Sequence, residues 1–286
     1  MKILILGYKG MLGQAIVEEF KNDYEIIAWD KEDLDICDFE LVKNKISEIS
    51  PEIIINTTAI NAVDKIEESE DFFELAKKVN GEAVGNLAEI CNEKKIILVH
   101  YSSDYVFYGD NKNAYKEDAK INPINKYGET KALGEKLLQE KTDKFYLIRL
   151  SKLFGKPAIA EGAKKSFIDM MIWLSTEGEK DHLDLVDEEI SSPTYAPDLA
   201  KFTRKILEEK KEFGIYHGTN TGVCSWYELA LETFKIKNIK IDTSPVSGDK
   251  FPRPAKRPVY SELLNTKMPK QRSWQEALKE YLGIMN

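Results

Sequence analysis

Apolar positions follow two rhythms along the first half of the chain. Lys2-Ile-Leu-Ile-Leu6 is a short unbroken apolar run ending at Gly7, whereas Ala15, Ile16, Val17 and Phe20, beyond Gly13, fall at helical spacing. Strand, glycine turn and helix are predicted there in that order. The alternation continues with a strand at 24–29, then a helix capped by Asp38 with Phe39, Val42, Ile46 and Ile49 on its apolar face. A strand at 53–57 precedes a long helix, from about 69 to 91, whose inner stripe is Phe72, Leu75, Ala76, Val79, Ala83, Leu87 and Ile90. Strands at 96–101 and 145–149 flank a helix that carries Tyr127. Ile53-Ile-Ile is apolar on both faces, as a strand covered on both sides requires. The alternation predicts an α/β fold, a Rossmann doubly wound parallel sheet with right-handed crossovers.

Past Ser151 the rhythm changes. Residues 164–173 hold a helical stripe (Phe167, Met170, Met171, with Leu174 beyond), 183–186 and 214–218 read as short strands, and 198 to about 209 as a helix. Ser225 and Glu228 form a capping box that opens another helix. These elements predict a smaller α/β substrate-binding lobe interleaved with the cofactor domain. The expected division is 1–151 plus about 187–211 for the NAD(P)-binding Rossmann domain, and about 152–186 plus 212–286 for the lobe.

Within this framework the stretch from Tyr101 to Lys131 carries the chemistry. Tyr127 and Lys131 stand one helical turn apart, so the ammonium of Lys131 is expected to lie near the Tyr127 phenol and favour its ionised form. Such a phenol exchanges a proton with a carbonyl or alcohol. Ser102 and Ser103, at the carboxyl end of the preceding strand, offer a hydroxyl to hold the reacting oxygen. The loop 109–124 is expected to cover the site. At the carboxyl end of the first strand, Gly7, Gly10 and Gly13 let a diphosphate approach helix N–H groups. Asp30, closing the second strand, is placed to accept from ribose hydroxyls and leans toward NADH, with Lys31 beside it softening that preference. Together the glycine turn and Tyr-x-x-x-Lys resemble the extended short-chain dehydrogenase/reductases.

With 286 residues the chain suffices for one large or two modest domains, and its net charge of -8 disfavours a general nucleic-acid or anionic-membrane surface. Three scattered cysteines, Cys37, Cys91 and Cys224, read as free thiols of a reducing, cytoplasmic compartment and offer no metal-ligand spacing. No apolar run approaches membrane-spanning length. Against the acidic balance, Lys250-Phe-Pro-Arg-Pro-Ala-Lys-Arg-Pro258 gathers four bases on an extended, proline-stiffened loop. Two readings stand side by side: a diphosphate grip through Arg253 or Arg257, and a solvated surface loop.

Motifs in order along nearly the whole chain resemble the dTDP-4-dehydrorhamnose reductase family: Tyr101-Ser-Ser-Asp-Tyr-Val-Phe107, Asn122 to Glu135, Ser192-Pro-Thr-Tyr195, Ser225-Trp-Tyr227 and Pro254 to Pro258. The resemblance implies hydride transfer from NADPH or NADH to the C4 ketone of dTDP-4-dehydro-L-rhamnose, the last step of dTDP-L-rhamnose synthesis. It implies Ser103, Tyr127 and Lys131 as the catalytic set. It places Gly7, Gly10, Met11, Leu12, Gly13, Asp30, Asp35, Ile36, Thr57, Thr58, Ala59 and Tyr101 along the cofactor, with Tyr127 and Lys131. Val63, Ser103, Asp104, Tyr105, Lys152 and Arg257 fall toward the sugar nucleotide. Lys152 stands where the family usually has Trp, which leaves the sugar and its C4 stereochemistry open, a talose epimer included. Gln14 and Ala15 stand where metal-binding members carry Glu, so magnesium is not expected, and either a monomer or a homodimer fits. A dehydratase or epimerase of the same superfamily is disfavoured by Asp104-Tyr105, where dehydratases carry Asp-Glu. A non-catalytic homologue similar to the methionine adenosyltransferase beta subunit is the alternative of another class.

Overall fold

The N-terminal apolar run forms β1 (Lys2–Leu6) and the spaced apolar residues after it form α1 (Met11–Phe20). They open a computed structural model that describes residues 1–110, 112–160, 165–178 and 180–283. β2 (Glu25–Trp29), α2 (Phe39–Ile49) and β3 (Ile53–Asn56) follow as expected, with the Asp38 carboxylate accepting from the Leu41 N–H at the start of α2. After a short α3 (Val63–Glu68), the predicted long helix runs from Glu70 to Lys94 as α4 (Glu70–Lys77), a π-helical turn (Lys78–Glu82) and α5 (Ala83–Lys94). A π turn inserts an extra residue into the helical repeat and shifts the phase of what lies before it against what lies after. Leu75, expected on the inner stripe, is therefore 42 % exposed, while Ala83, Leu87 and Ile90 beyond the turn are buried.

β4 (Ile97–Ser103) runs two residues further than expected, so Ser103 is its last residue. Then come α6 (Lys126–Lys141), β5 (Phe145–Leu150), β6 (Leu153–Phe154), α7 (Phe167–Thr176), β7 (His182–Val186), β8 (Thr194–Tyr195), α8 (Ala196–Glu208), β9 (Gly214–His217), α9 (Trp226–Lys237), β10 (Asp242–Val246) and α10 (Trp274–Tyr281). Lys164, where the α7 stripe was expected to begin, lies outside the described residues. Ser225 and Glu228 form their capping box, and Ser273 and Glu276 form a second one on α10 that the same spacing encodes.

Six strands make one parallel sheet in the order β2-β1-β3-β4-β5-β9. Alternate strand residues feed two helical layers, which is the doubly wound arrangement. Ile3, Ile5, Ile53, Ile55, Val99 and Ile148 pack with Leu12, Ile16 and Phe20 of α1 and Leu199 and Phe202 of α8. Leu4, Leu6, Ile54, Leu98 and Leu147 pack with Val42 and Ile46 of α2, Leu87 and Ile90 of α5 and Leu138 of α6. β9, expected among the elements of the lobe, is hydrogen-bonded to β5 and is the sixth strand of this sheet. Outside the sheet, α7, α9, α10 and the β7–β10 pair enclose smaller apolar clusters around Phe154, Trp274 and Leu278, and around Met171, Leu185 and Phe234.

Chain order reverses between β1 and β3, and the carboxyl ends of these strands frame the crevice where open α/β sheets take ligands. A strap formed by residues 255–266 crosses this edge. Its Lys256 carbonyl accepts from the Asn125 amide, Tyr260 N–H donates to the Gly109 carbonyl, Ser261 N–H to the Ile190 carbonyl, and Leu264 N–H to the Tyr115 carbonyl. The loop expected to cover the site is thus itself held by the C-terminal segment.

Candidate active site

Bare backbone builds the first part of the site. Gly7 has φ +84°, and a Cβ there would meet Thr57 Oγ1 at 2.9 Å; one on Gly13 would meet the Gly7 carbonyl at 2.1 Å and Tyr8 Cα at 2.6 Å. Gly7 requires glycine because of its positive φ, and Gly13 because a backbone atom cannot swing aside as a side chain can. At Gly10, by contrast, a Cβ would meet only the Gly7 carbonyl, at 3.2 Å. Gly10 is the N-cap of α1, and among the described residues no side chain caps that helix or places an acid in its first turn. Unclaimed N–H groups at the positive end of a helix fit a diphosphate. Thr57 Oγ1 donates to the Leu6 and Gly7 carbonyls at 2.8 and 3.0 Å, tying the ends of β1 and β3 together beneath the turn.

Asp30 follows β2 directly. Its two oxygens accept from the N–H groups of Lys9 (3.0 Å) and Lys31 (2.8 Å), so the carboxylate braces the glycine turn. From outside, Gln14 donates its amide to the Pro157 carbonyl (2.9 Å) and Ile159 N–H reaches the Lys9 carbonyl.

The second part lies where β4 meets α6. Asn125 caps α6 by accepting from Gly128 N–H at 2.8 Å, which fixes the first turn and with it Tyr127 and Lys131. A Cβ on Gly128 would sit 2.2 Å from the Tyr105 carbonyl, so the glycine lets α6 lie against the end of β4. The Tyr127 ring is half-buried, edge-on to Tyr105 with centroids 5.6 Å apart. Lys131 is 3 % exposed and donates its Nζ to the Tyr101 carbonyl at 2.7 Å.

The electrostatics here differ from the expectation that Lys131 lowers the phenol. Burial pushes Tyr127 up to about 12; the Ser103 hydroxyl pulls it back and the Asp104 charge pushes it further. The phenol holds its proton firmly. Burial pushes Lys131 down to about 8, partly offset by the Glu135 carboxylate one turn on. Glu135 in turn makes a bidentate pair with Arg149 at 2.9 and 2.7 Å, both side chains almost fully buried.

Asp104 is 3 % exposed, and its carboxylate accepts from Ser103 Oγ (3.0 Å) and Ser261 Oγ (2.6 Å). Two serine hydroxyls therefore hold the side chain that was expected to face the sugar. Lys152 adopts φ +41° and buries its Nζ between the Glu189 (2.8 Å) and Cys224 (2.5 Å) carbonyls, 4.7 Å from the Trp226 ring centre. Burial depresses its pKa, with Cys224 and the Asp104 and Glu189 charges opposing. The Trp226 ring thus stands close to the position where the family pattern has its own Trp.

Arg257 pairs with Asp64 at 2.8 Å and donates to its own segment at the Ala255 carbonyl. Arg253 pairs with Glu189, and Lys250 with Asp184. The basic loop is thus built into the molecule through ion pairs.

Several expected cofactor residues face away from the crevice. Leu12 and Ile36 are core side chains, and the Tyr101 phenol donates to or accepts from Thr203 Oγ1 at 2.8 Å beneath the sheet, so Tyr101 serves the site through its carbonyl. Asp35 accepts from Cys37 N–H, Thr58 Oγ1 donates to Asn56 Oδ1, and Ala59 is exposed at the strand edge. Met11 and Val63 are half-buried at the starts of α1 and α3. Asp64, Glu189, Ser261 and Glu135 are the site-building residues that the sequence reading missed. Of these only Glu135 carried a local signal, its position one helical turn beyond Lys131.

Among the described residues no helix is long and apolar enough to cross a membrane. Residues 1–286 match the model of the RmlD substrate binding domain. The spore coat polysaccharide biosynthesis protein SpsK of Bacillus subtilis is 32% identical, over 98% of this chain and 96% of that protein. A dTDP-4-dehydrorhamnose reductase from Clostridium acetobutylicum superposes with a TM-score of 0.92 at 36% identity, covering 100% of this chain and 99% of that one. The dTDP-4-dehydrorhamnose reductase of Bacillus anthracis in complex with NADP gives 0.91 at 34% identity over 98% of both chains.

Proposed function

The chain belongs to the RmlD substrate-binding-domain family, and on that premise we propose that it reduces the C4 ketone of dTDP-4-dehydro-L-rhamnose to dTDP-L-rhamnose with NADPH or NADH. One observation carries the reading: Tyr127 and Ser103 converge at the carboxyl end of one parallel strand, with Lys131 fixed behind them on that strand's own carbonyl.

Bound at the glycine turn, the nicotinamide cofactor supplies the hydride for the ketone carbon. The N–H groups opening α1 would hold its diphosphate, and Asp30 would accept from a ribose hydroxyl, which leans the preference toward NADH. Lys131 would hold the nicotinamide ribose. Tyr127 gives its proton to the oxygen that becomes the C4 hydroxyl; a phenol held near 12 keeps that proton until an alkoxide of higher basicity forms beside it. Ser103 steadies the same oxygen, and the Lys131 ammonium, held on the Tyr101 carbonyl, would orient the ribose beside it. That ammonium is lost as pH rises through about 8, so turnover should fall above it. Val63, Tyr105, Lys152 and Arg257 would border the sugar nucleotide, the lobe outside the main sheet closing over it. The displacement of the usual Trp by Lys152 favours a second reading, a different 4-keto-6-deoxy sugar linked to the same nucleotide, such as one giving the talose epimer.

Loss of reduced-nicotinamide absorbance on adding dTDP-4-dehydro-L-rhamnose measures the activity, and product NMR reads the C4 configuration. Tyr127→Phe should lower kcat by about 100-fold or more while cofactor affinity holds. Near-normal turnover in that variant would sink the assignment of the acid. Silence of the wild-type protein with both cofactors would favour a binding role without turnover.

A further inference from the structure

Ser103 has a single hydroxyl hydrogen and two groups that claim it. Its Oγ lies 3.0 Å from Asp104 Oδ1, to which it donates, and it accepts from the Tyr105 N–H at 3.2 Å. The reduction proposed above needs the same hydroxyl to donate to the ketone oxygen beside Tyr127. One hydrogen cannot serve Asp104 and the oxygens at Tyr127 together. What decides between them is the state of Asp104, because a carboxylate only accepts whereas a carboxyl bearing a proton donates.

We propose that Asp104 is a positioning residue for the reduction described above: ionised, it turns the Ser103 hydroxyl toward itself; protonated, it donates to Ser103 Oγ and releases that hydroxyl toward the reacting ketone oxygen. Ser261, on the C-terminal strap, holds the other carboxylate oxygen at 2.6 Å and thereby sets the balance from the far end of the chain.

Charged and titratable groups face Asp104 from each side. Lys152 bears on it from the segment after β5, Tyr105 from its own turn and Tyr127 from α6; Glu189 acts through Lys152 and Tyr105. Burial pushes the Asp104 carboxyl up to about 6, while the Ser261 and Ser103 hydroxyls and the Lys152 charge pull it back. The switch therefore falls within reach of ordinary buffers.

The test is the pH profile of kcat, measured with dTDP-4-dehydro-L-rhamnose and the preferred nicotinamide, for the wild type, Asp104→Asn and Ser261→Ala. Wild-type kcat should fall as pH rises through about 6. Asp104→Asn has no proton to lose, so that limb should vanish. Ser261→Ala removes a donor that favours the ionised form, so the limb should move to higher pH. The carboxyl infrared band, titrated in all three proteins, follows the same group without turnover and should show the same shift in Ser261→Ala. A limb that survives Asp104→Asn, or a loss in that variant by one factor at every pH, overturns the role of Asp104 alone. Silence of the wild type at every pH, with the infrared titration intact, overturns the reductase reading on which it rests.

Discussion

Two regions of this molecule look made for anions, and they are built in opposite ways. The glycine turn contains little charge that is free to act: Lys9 is paired with Glu32, Asp30 is negative, and what it presents is bare backbone at an uncapped helix start. The Lys250–Pro258 segment has four bases, yet three of them are paired with Asp184, Glu189 and Asp64 of the same chain. Density of positive residues in a sequence is therefore a poor guide to where a phosphate is held. The turn is ready for a ligand, whereas the loop must exchange an internal partner for an external one, and such exchanges return only the difference between two similar bonds.

Disruption of the turn should have the largest effect. Gly13→Ala sets a Cβ against two backbone atoms, so it should cost about 1–3 kcal/mol of stability and abolish cofactor binding, read by thermal melting and nicotinamide fluorescence titration. Cofactor binding at wild-type strength would show that the turn is not the cradle. Next comes Arg257→Ala. If the loop arginine exchanges Asp64 for a substrate phosphate, KM for the sugar nucleotide should rise about tenfold with cofactor affinity unchanged. An unchanged KM would reduce the loop to a structural tie. The smallest effect is expected from Asp30→Ala, raising KM for NADH about three- to fivefold and leaving NADPH little affected. Equal changes for both would mean that Asp30 only braces the turn.

The sheet was legible because its information is local. Runs such as Ile53-Ile-Ile55 and the switch to helical spacing after Gly13 name strand and helix without reference to anything distant. The same holds for Tyr127 and Lys131, which one helical turn relates, and for Asp38 and Ser225 as caps. The long helix was misread at Leu75 because a π turn leaves no mark in the apolar pattern except a phase error. That β9 joins the main sheet was not legible, because four residues cannot tell which sheet they join. Asp64, Glu189 and Ser261 were missed for a different reason. Each acts on a residue far away in the chain (Arg257, Arg253 and Asp104), and only the path of the C-terminal segment brings the partners together. The direction of the Tyr127 shift was missed likewise, since the depth of burial depends on what finally covers the ring.

The wide turn at Lys78–Glu82 has a consequence for the catalytic helix. It presents Asn80 inward, where the amide accepts from Ile60 N–H, donates to the Ile60 carbonyl and reaches Thr130 Oγ1, three residues from Tyr127; its own carbonyl faces the bare Cα of Gly134. One asparagine thus keys α6 to the loop after β3, blocking both sliding along the helix axis and rotation about it. Deleting a single residue from that turn would make a more regular helix, yet it would swing the key out of its slot and leave the proton donor free to drift from the strand it serves.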